Sequence, residues 1–246
     1  MEVKTAEQQY NTTSSRIHMI RAGAIAGFPI FLGYLPIAIT YGVLASQAGL
    51  SIFELTMMSV LVFAGASQFM GAQMIMGGSA LLEIVVATFV LNFRHFVMSL
   101  SFMNRLKPLA LKPKLALSLG LTDETFTVSS LHPKEAKMPH GALFYGSLIL
   151  VSYFSWVGGS FLGGVLGEII PDRLSLSMGI ALYAMFIGLL VPSVKKEWRI
   201  GVIAIISMLI NYVFILNGVS EGWSVVFATV IASFFGIFLL REEGAA

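Results

Sequence analysis

Arg94 and His95 stand side by side inside an otherwise apolar stretch, with Asn92 two residues before them. A guanidinium at the centre of a bilayer costs roughly 2.5–3.5 kcal/mol on insertion scales, so an intramembrane Arg marks a functional position by default. Asn92, His95 and Ser99 recur at helical spacing and share one face. Arg94 points elsewhere and lies far enough along its stretch to snorkel towards one surface. It calls for a carboxylate partner, and Thr122-Asp123-Glu124 supplies two. Adjacent residues diverge by about 100° on a helix, so Asp123 and Glu124 cannot both face one site. One would bind a substrate amine or carry a proton while the other neutralises Arg94. The competing reading is a helix cap in a solvated loop, for which Thr122 or Asp123 is well suited.

Three further groups bring polarity into apolar surroundings. In Phe63-Ala64-Gly65-Ala66-Ser67-Gln68-Phe69, four consecutive small residues admit a close backbone neighbour. An unpaired amide such as Gln68 is costly there; with Ser67 it either meets substrate or ties two helices. Pro29, Gly33 and Pro36 fall on one stripe at i, i+4 and i+7. Each proline removes an N–H and frees the carbonyl four residues earlier, at Ile25 and Leu32. The result is either a broken helix offering carbonyls to a cation or a simple packed kink. Asn211, in Ile210-Asn211-Tyr212, echoes Asn92 in Leu91-Asn92-Phe93. By contrast Gly159, Gly163 and Gly167 form a small-xxx-small ladder that reads as helix packing. Glu54, Glu83, Glu168 and Glu221 sit at the ends of apolar stretches and are expected to be solvated. His132 and His140 are loop residues without metal spacing.

The elements that must hold these groups are membrane helices. The chain has 246 residues, a mean hydropathy of +0.85 and only 11% charged residues. Its fifteen Lys/Arg are confined almost wholly to the gaps between apolar stretches. A stretch of about 20 apolar residues crosses the bilayer core as a helix, and backbone groups cannot go unpaired in lipid. Helices are therefore expected near 22–47, 53–77, 80–102, 115–131, 140–168, 174–193, 200–217 and 222–240. The fold class is all-α: a polytopic transmembrane bundle of seven to eight spans. A polar tail, 1–21, precedes a single transmembrane transporter domain, 22–240, and a short C-terminal tail, 241–246. The first span is read as retained and not as a signal peptide.

Residues 115–131 are the open element, either a span or a re-entrant half-helix dipping into a protein-lined cavity. With eight spans and an inside N-terminus, nine Lys/Arg lie inside and five outside. With seven spans and an outside N-terminus the split is ten to four. The positive-inside rule separates these only weakly. If 115–131 does not cross, the second and third spans relate to the sixth and seventh as an inverted repeat. The matches are Leu50-Ser51 with Leu174-Ser175 and Asn92 with Asn211, and such repeats place transporter sites at their interface.

Other chemistries lack their residues. A net charge of +2 dispersed in loops gives no nucleic-acid footprint. The absence of cysteine removes disulfides, iron–sulfur clusters and thiolate metal sites. No P-loop, H-E-x-x-H or G-x-S-x-G motif is present. No cofactor, metal ligand or catalytic residue is expected, and uphill movement of a substrate must draw on an ion gradient or a partner.

Four segments in order resemble the AzlC family: Tyr41-Gly42-Val43-Leu44-Ala45-Ser46-Gln47-Ala48-Gly49-Leu50, then Val62-Phe63-Ala64-Gly65-Ala66-Ser67-Gln68-Phe69, then Leu91-Asn92-Phe93-Arg94-His95-Phe96, then Leu121-Thr122-Asp123-Glu124-Thr125-Phe126. The resemblance covers the chain, with its distinctive motifs in the first half. It implies a large subunit of bacterial branched-chain amino-acid exporters, moving valine, leucine, isoleucine and in some members methionine across the cytoplasmic membrane, driven by protons. It also implies a small hydrophobic AzlD-type membrane subunit as partner. A zwitterionic substrate would find its carboxylate partner in Arg94, His95 or a half-helix N-terminus. Its ammonium would meet Asp123, Glu124 or the proline-freed carbonyls, and Phe63, Phe69, Phe93 and Phe96 would line an apolar pocket. The alternative is a non-catalytic membrane subunit that scaffolds a substrate-carrying partner.

Overall fold

The computed structural model describes residues 2–107, 109–167 and 180–239. They form α1 (Glu2–Gln47), α2 (Ile52–Val62), α3 (Gly65–Met76), α4 (Leu81–Arg105), α5 (Leu111–Ser118), α6 (Asp123–Leu131), α7 (Gly141–Gly167), α8 (Ile180–Lys196), α9 (Trp198–Leu216) and α10 (Glu221–Leu239), with a 3-10 turn at Glu135–Lys137. No strand occurs among them. Helix α1 starts about five turns earlier than expected, because no Pro or Gly stands before Gly23 to stop it.

Helices α1 and α7 run in the same direction and form the spine. Glycines allow their backbones to touch: a Cβ added at Gly23 would lie 2.1 Å from the Phe144 carbonyl, at Gly42 2.2 Å from that of Ser160, and at Gly163 2.1 Å from that of Ile39. The expected packing ladder on α7 is thus real, and α1 answers it with glycines of its own. Tyr41, Tyr145 and Leu148 are fully buried along this seam.

The stretch expected as one helix over 53–77 is two. Phe63 takes a left-handed conformation at φ 40° and Ala64 an extended one at φ −139°, which ends α2 and restarts the chain as α3. The two halves fold back on each other. The Gln68 amide donates to Ser59 Oγ at 2.8 Å, and a Cβ on Gly71 would meet Met58 Cε. Both pairs are near-symmetric about the break, as in an antiparallel hairpin.

Residues 115–131 also do not cross. Helix α5 climbs along α7, with Leu117 beside Gly146 and Gly120 against Ile149. Helix α6 then descends to His132, whose carbonyl accepts from Tyr145 at 2.6 Å. The re-entrant option is the one the structure adopts.

The two hairpins enter from opposite faces. Leu55 of α2 packs at Gly164, near the far end of α7, whereas α6 ends beside Tyr145, near its start. Their tips meet halfway. The expected count of seven to eight spans is therefore not reached among the described residues: α1 from Arg16, α4, α7, α9 and α10 are the five helices long and apolar enough to cross. The opposed segments are 52–76 and 111–131, different from those the expected repeat would pair. Leu174-Ser175, Glu168 and the tail 241–246 fall outside the described residues.

Charge separates the two faces. Of thirteen described Lys/Arg, Arg94 lies at mid-depth and the other twelve lie on one face: at the start of α1, around the base of the α5–α6 hairpin, on the connection to α7 and at the α8–α9 junction. The opposite face holds none of them. Glu54, Glu83 and Glu221 lie there instead. Glu54 closes a capping box with Ser51, and Glu221 is exposed. Glu83 corrects the expectation of a solvated carboxylate, being only 5% exposed. Its Oε1 accepts from Ser220 Oγ (2.5 Å), Gly222 N (2.8 Å) and Trp223 N (3.2 Å), so it caps α10 from α4. The positive end of α10 draws it out of solvent.

Candidate functional site

Where the hairpin tips approach α1 and α4, the polar residues converge. Arg94 Nη1 lies 2.9 Å from Asp123 Oδ2, and both side chains are about one-third exposed. Asp123 and Glu124 open α6, and Thr122 caps it, accepting from the Thr125 N–H. Of the alternatives left open, Thr122 is the cap and Asp123 the partner of Arg94, and both belong to one site because the capped helix starts halfway along α4 and not in a loop. Glu124 goes its separate way as the 100° divergence requires: it accepts from the Tyr34 hydroxyl, which also lies 2.6 Å from Thr122 Oγ1. His95 Nδ1 pairs with the Leu121 carbonyl at 2.9 Å, holding α4 to the tip of the second hairpin.

Tyr34, Phe63, Arg94, His95, Glu124 and Trp156 are among the walls of a small pocket of about 30 Å³. That space accommodates one or two waters. Two buried polar atoms of its walls, Arg94 Nε and His95 Nε2, have no hydrogen-bond partner, and neither has Asn92 Oδ1 in the adjoining cleft. In native proteins such atoms are few and ask for a reason.

The two half-helix N-termini differ. That of α6 is answered by its own Thr122 and carboxylates. The first turn of α3 begins at Ala64 with no side-chain cap, and the first helical N–H to find a backbone acceptor is that of Gln68. Its Gly65 and Ala66 line the pocket. The site thus combines fixed carboxylates, one guanidinium and an uncapped positive helix end.

The remaining sequence candidates separate from this centre. Gln68 is fully buried and spent on helix ties: its Nε2 donates to Ser59, its Oε1 accepts from Trp156 Nε1 at 2.8 Å, and Ser59 donates to Ser160. Ser67 donates to the Ala64 carbonyl at the hairpin tip. Asn211 accepts from Ser224, linking α9 to α10 away from the pocket. Asn92 stands between the hairpin tips in a side cleft shared with His95. Pro29 and Pro36 lie within an unbroken α1, so of the two readings open for them the broken helix is not adopted; a break occurs instead at Phe63-Ala64. Pro29 and Gly33 do line a wider cleft beside the site. Phe69 packs edge-on against Tyr41, while Phe93 and Phe96 are exposed at 53% and 57% and face outwards. Of the four expected phenylalanines only Phe63 lines the pocket. Tyr34 and Trp156, which sequence reasoning did not single out, complete it. Their signal was a hydroxyl and an indole N–H within apolar helices, each of which seeks a partner when buried.

The fold and site define an all-helical membrane protein whose Arg94–Asp123 pair is held between two opposed re-entrant hairpins. The chain belongs to the AzlC family: the model of the AzlC protein matches residues 29–170, which include every residue of the pocket. An Archaeoglobus fulgidus uncharacterized membrane protein is 37% identical over 74% of this chain and 78% of its own length. The Bacillus subtilis branched-chain amino acid transport protein AzlC is 27% identical over 69% of this chain and 65% of its own length. The Escherichia coli inner membrane protein YgaZ is 27% identical over 74% and 76%. No solved structure matches.

Proposed function

We propose that this protein is a secondary transporter exporting branched-chain amino acids (valine, leucine and isoleucine, with methionine a substrate in some members of the family) across the cytoplasmic membrane, with proton coupling and a small AzlD-type hydrophobic subunit as partner. The observation that carries the reading is the pairing of Arg94 with Asp123 at mid-depth beside the uncapped N-terminus of α3. A zwitterion needs opposite charges a few ångströms apart, and this centre offers both. The substrate carboxylate sits against the Gly65 and Ala66 N–H groups and Arg94. Its ammonium replaces part of the Arg94–Asp123 attraction at Asp123 or meets Glu124. An apolar side chain then lies among Phe63, Trp156 and the α1 surface near Ile30 and Ile37. Asp123, Glu124 and His95 are the groups able to take up and release a proton in each cycle.

The kinship to the Bacillus subtilis transport protein supports the substrate class. The test is counterflow of labelled L-valine in proteoliposomes, with and without the small subunit, at two pH values. Exchange that requires this chain and changes with pH is expected. Wild-type exchange from Arg94→Ala or Asp123→Asn would remove the pair from the site, and exchange by the small subunit alone would reduce this chain to a scaffold.

A further inference from the structure

Two clefts adjoin the central pocket, one towards each face. The first, about 740 Å³, shares Tyr34, Arg94, Asp123 and Glu124 with the pocket and continues past Thr127 to Lys196 on the basic face. The second, about 200 Å³, meets the pocket only at Ala66 and continues past Met70 and Gln73 to Glu221 on the opposite face. Helix α8 walls both. Its early residues Tyr183 and Phe186 line the second cleft, and its later residues Gly188, Pro192 and Lys196 line the first.

The hairpins explain this arrangement. Each cleft follows the returning arm of one hairpin, α6 towards the basic face and α3 towards the other. The polar centre is where those arms begin. The first cleft is wide and open to the pocket. The second is separated from it by the first turn of α3, which is pressed against a neighbour: a Cβ on Gly65 would lie 2.6 Å from the Trp156 ring.

We propose that these clefts are the inner and outer vestibules of one transmembrane path, with the basic face cytoplasmic and the Gly65-Ala66 turn as the closed outer gate. The proposal rests on the transporter reading. It adds orientation, route and barrier. Positive residues mark the cytoplasmic side of membrane proteins, and the bias here is twelve to none among the described residues outside the site. The conformation is therefore loaded from inside, as an exporter requires. Lys196 at the inner mouth gives an incoming carboxylate an attractive charge. Met70, Phe186 and Tyr183 give the departing apolar side chain an exit lined by flexible and aromatic surface.

The chain contains no cysteine, so single reporters can be placed without removing any native thiol. Thr127→Cys and Gln73→Cys lie in the two vestibules and outside the proposed binding groups. In sealed vesicles of known orientation carrying the whole protein, a membrane-impermeant maleimide should label Thr127→Cys only from the cytoplasmic face. Gln73→Cys should be labelled only from the outer face. Labelling of both from one face, labelling with the sides exchanged, or no labelling of either from any face overturns the path. Ala66→Trp, which fills the gate, should abolish counterflow while leaving both labelling patterns in place; unimpaired counterflow would remove the gate. The labelling readout is independent of transport. Opposite-face labelling in vesicles that exchange no valine would sink the substrate assignment and leave the path standing.

Discussion

At the scale of single residues, the ion pair is a poor source of stability and a good source of specificity. Arg94 and Asp123 are each about one-third exposed, and pairs of that kind contribute roughly 0–1 kcal/mol. Asp123→Asn should therefore lower Tm by no more than about 2–4 °C, the shift roughly 1 kcal/mol gives a protein of this size, while reducing valine efflux at least tenfold. Reversing the pair, with Arg94→Asp and Asp123→Arg together, should keep the protein folded and still leave efflux lost, because α3 and Glu124 fix where each charge must stand. Recovery of efflux on reversal would mean that the pair is only a structural tie. Tyr34→Phe removes the donor that Glu124 accepts from, and is expected to raise KM more than it lowers the maximal rate. Arg94, His95, Asp123 and Glu124 stood out in the sequence because polar groups inside apolar stretches are few, although a helix cap in a solvated loop was an open reading for the two acids. Tyr34 and Trp156 did not, since both count as apolar and only the fold turns their polar ends towards one another's neighbours.

Among the elements, the helix content followed from hydropathy, but the two hairpins did not. A largely apolar stretch of 25 residues such as 53–77 is as compatible with a hairpin buried in protein as with a span, because composition reports surroundings and not direction. The start of α2 was visible in the Ser51–Glu54 capping pair, whereas its end falls at Phe63, a residue that seldom takes a left-handed conformation. The small residues after it were the available clue: Gly65 and Ala66 let the turn sit against Trp156, and Gln68 ties it to Ser59 and Trp156. Gln68→Leu should leave the Trp156 indole N–H without its acceptor, at about 1–3 kcal/mol for the orphaned group, whereas Ser59 keeps its bond to Ser160. The expected readout is a Tm lowered by several degrees in a fluorescence-detected melt. An unchanged Tm would show that the hairpin is held by packing alone. At the α1–α7 seam the same measurement should show a larger loss for Gly163→Val, since any side chain there collides with the Ile39 backbone at 2.1 Å and neither helix has room to retreat without parting the seam.

For the molecule as a whole, the decisive property is the direction of each crossing. Counting apolar stretches as spans split Lys/Arg nine to five in one topology and ten to four in the other, too thin a difference to decide the orientation. Once 52–76 and 111–131 are recognised as returning to the face they came from, the described Lys/Arg other than Arg94 sort onto one side. The agreement is informative because the hairpins follow from packing contacts alone, without reference to where the charges fall. It makes a prediction that a spanning 53–77 helix cannot share. The loops at Gly49 and Gly78, each turned by a positive φ glycine, must lie on the same, outer face. Alkaline phosphatase inserted at either loop should be active, as should an insertion at Gly218. An insertion into the loop following His132 should be inactive, and green fluorescent protein placed there should fluoresce. Activity at Gly49 with none at Gly78 would restore a full span between them. The two half-helix N-termini would then no longer meet, and the charge asymmetry would be left without a structural cause.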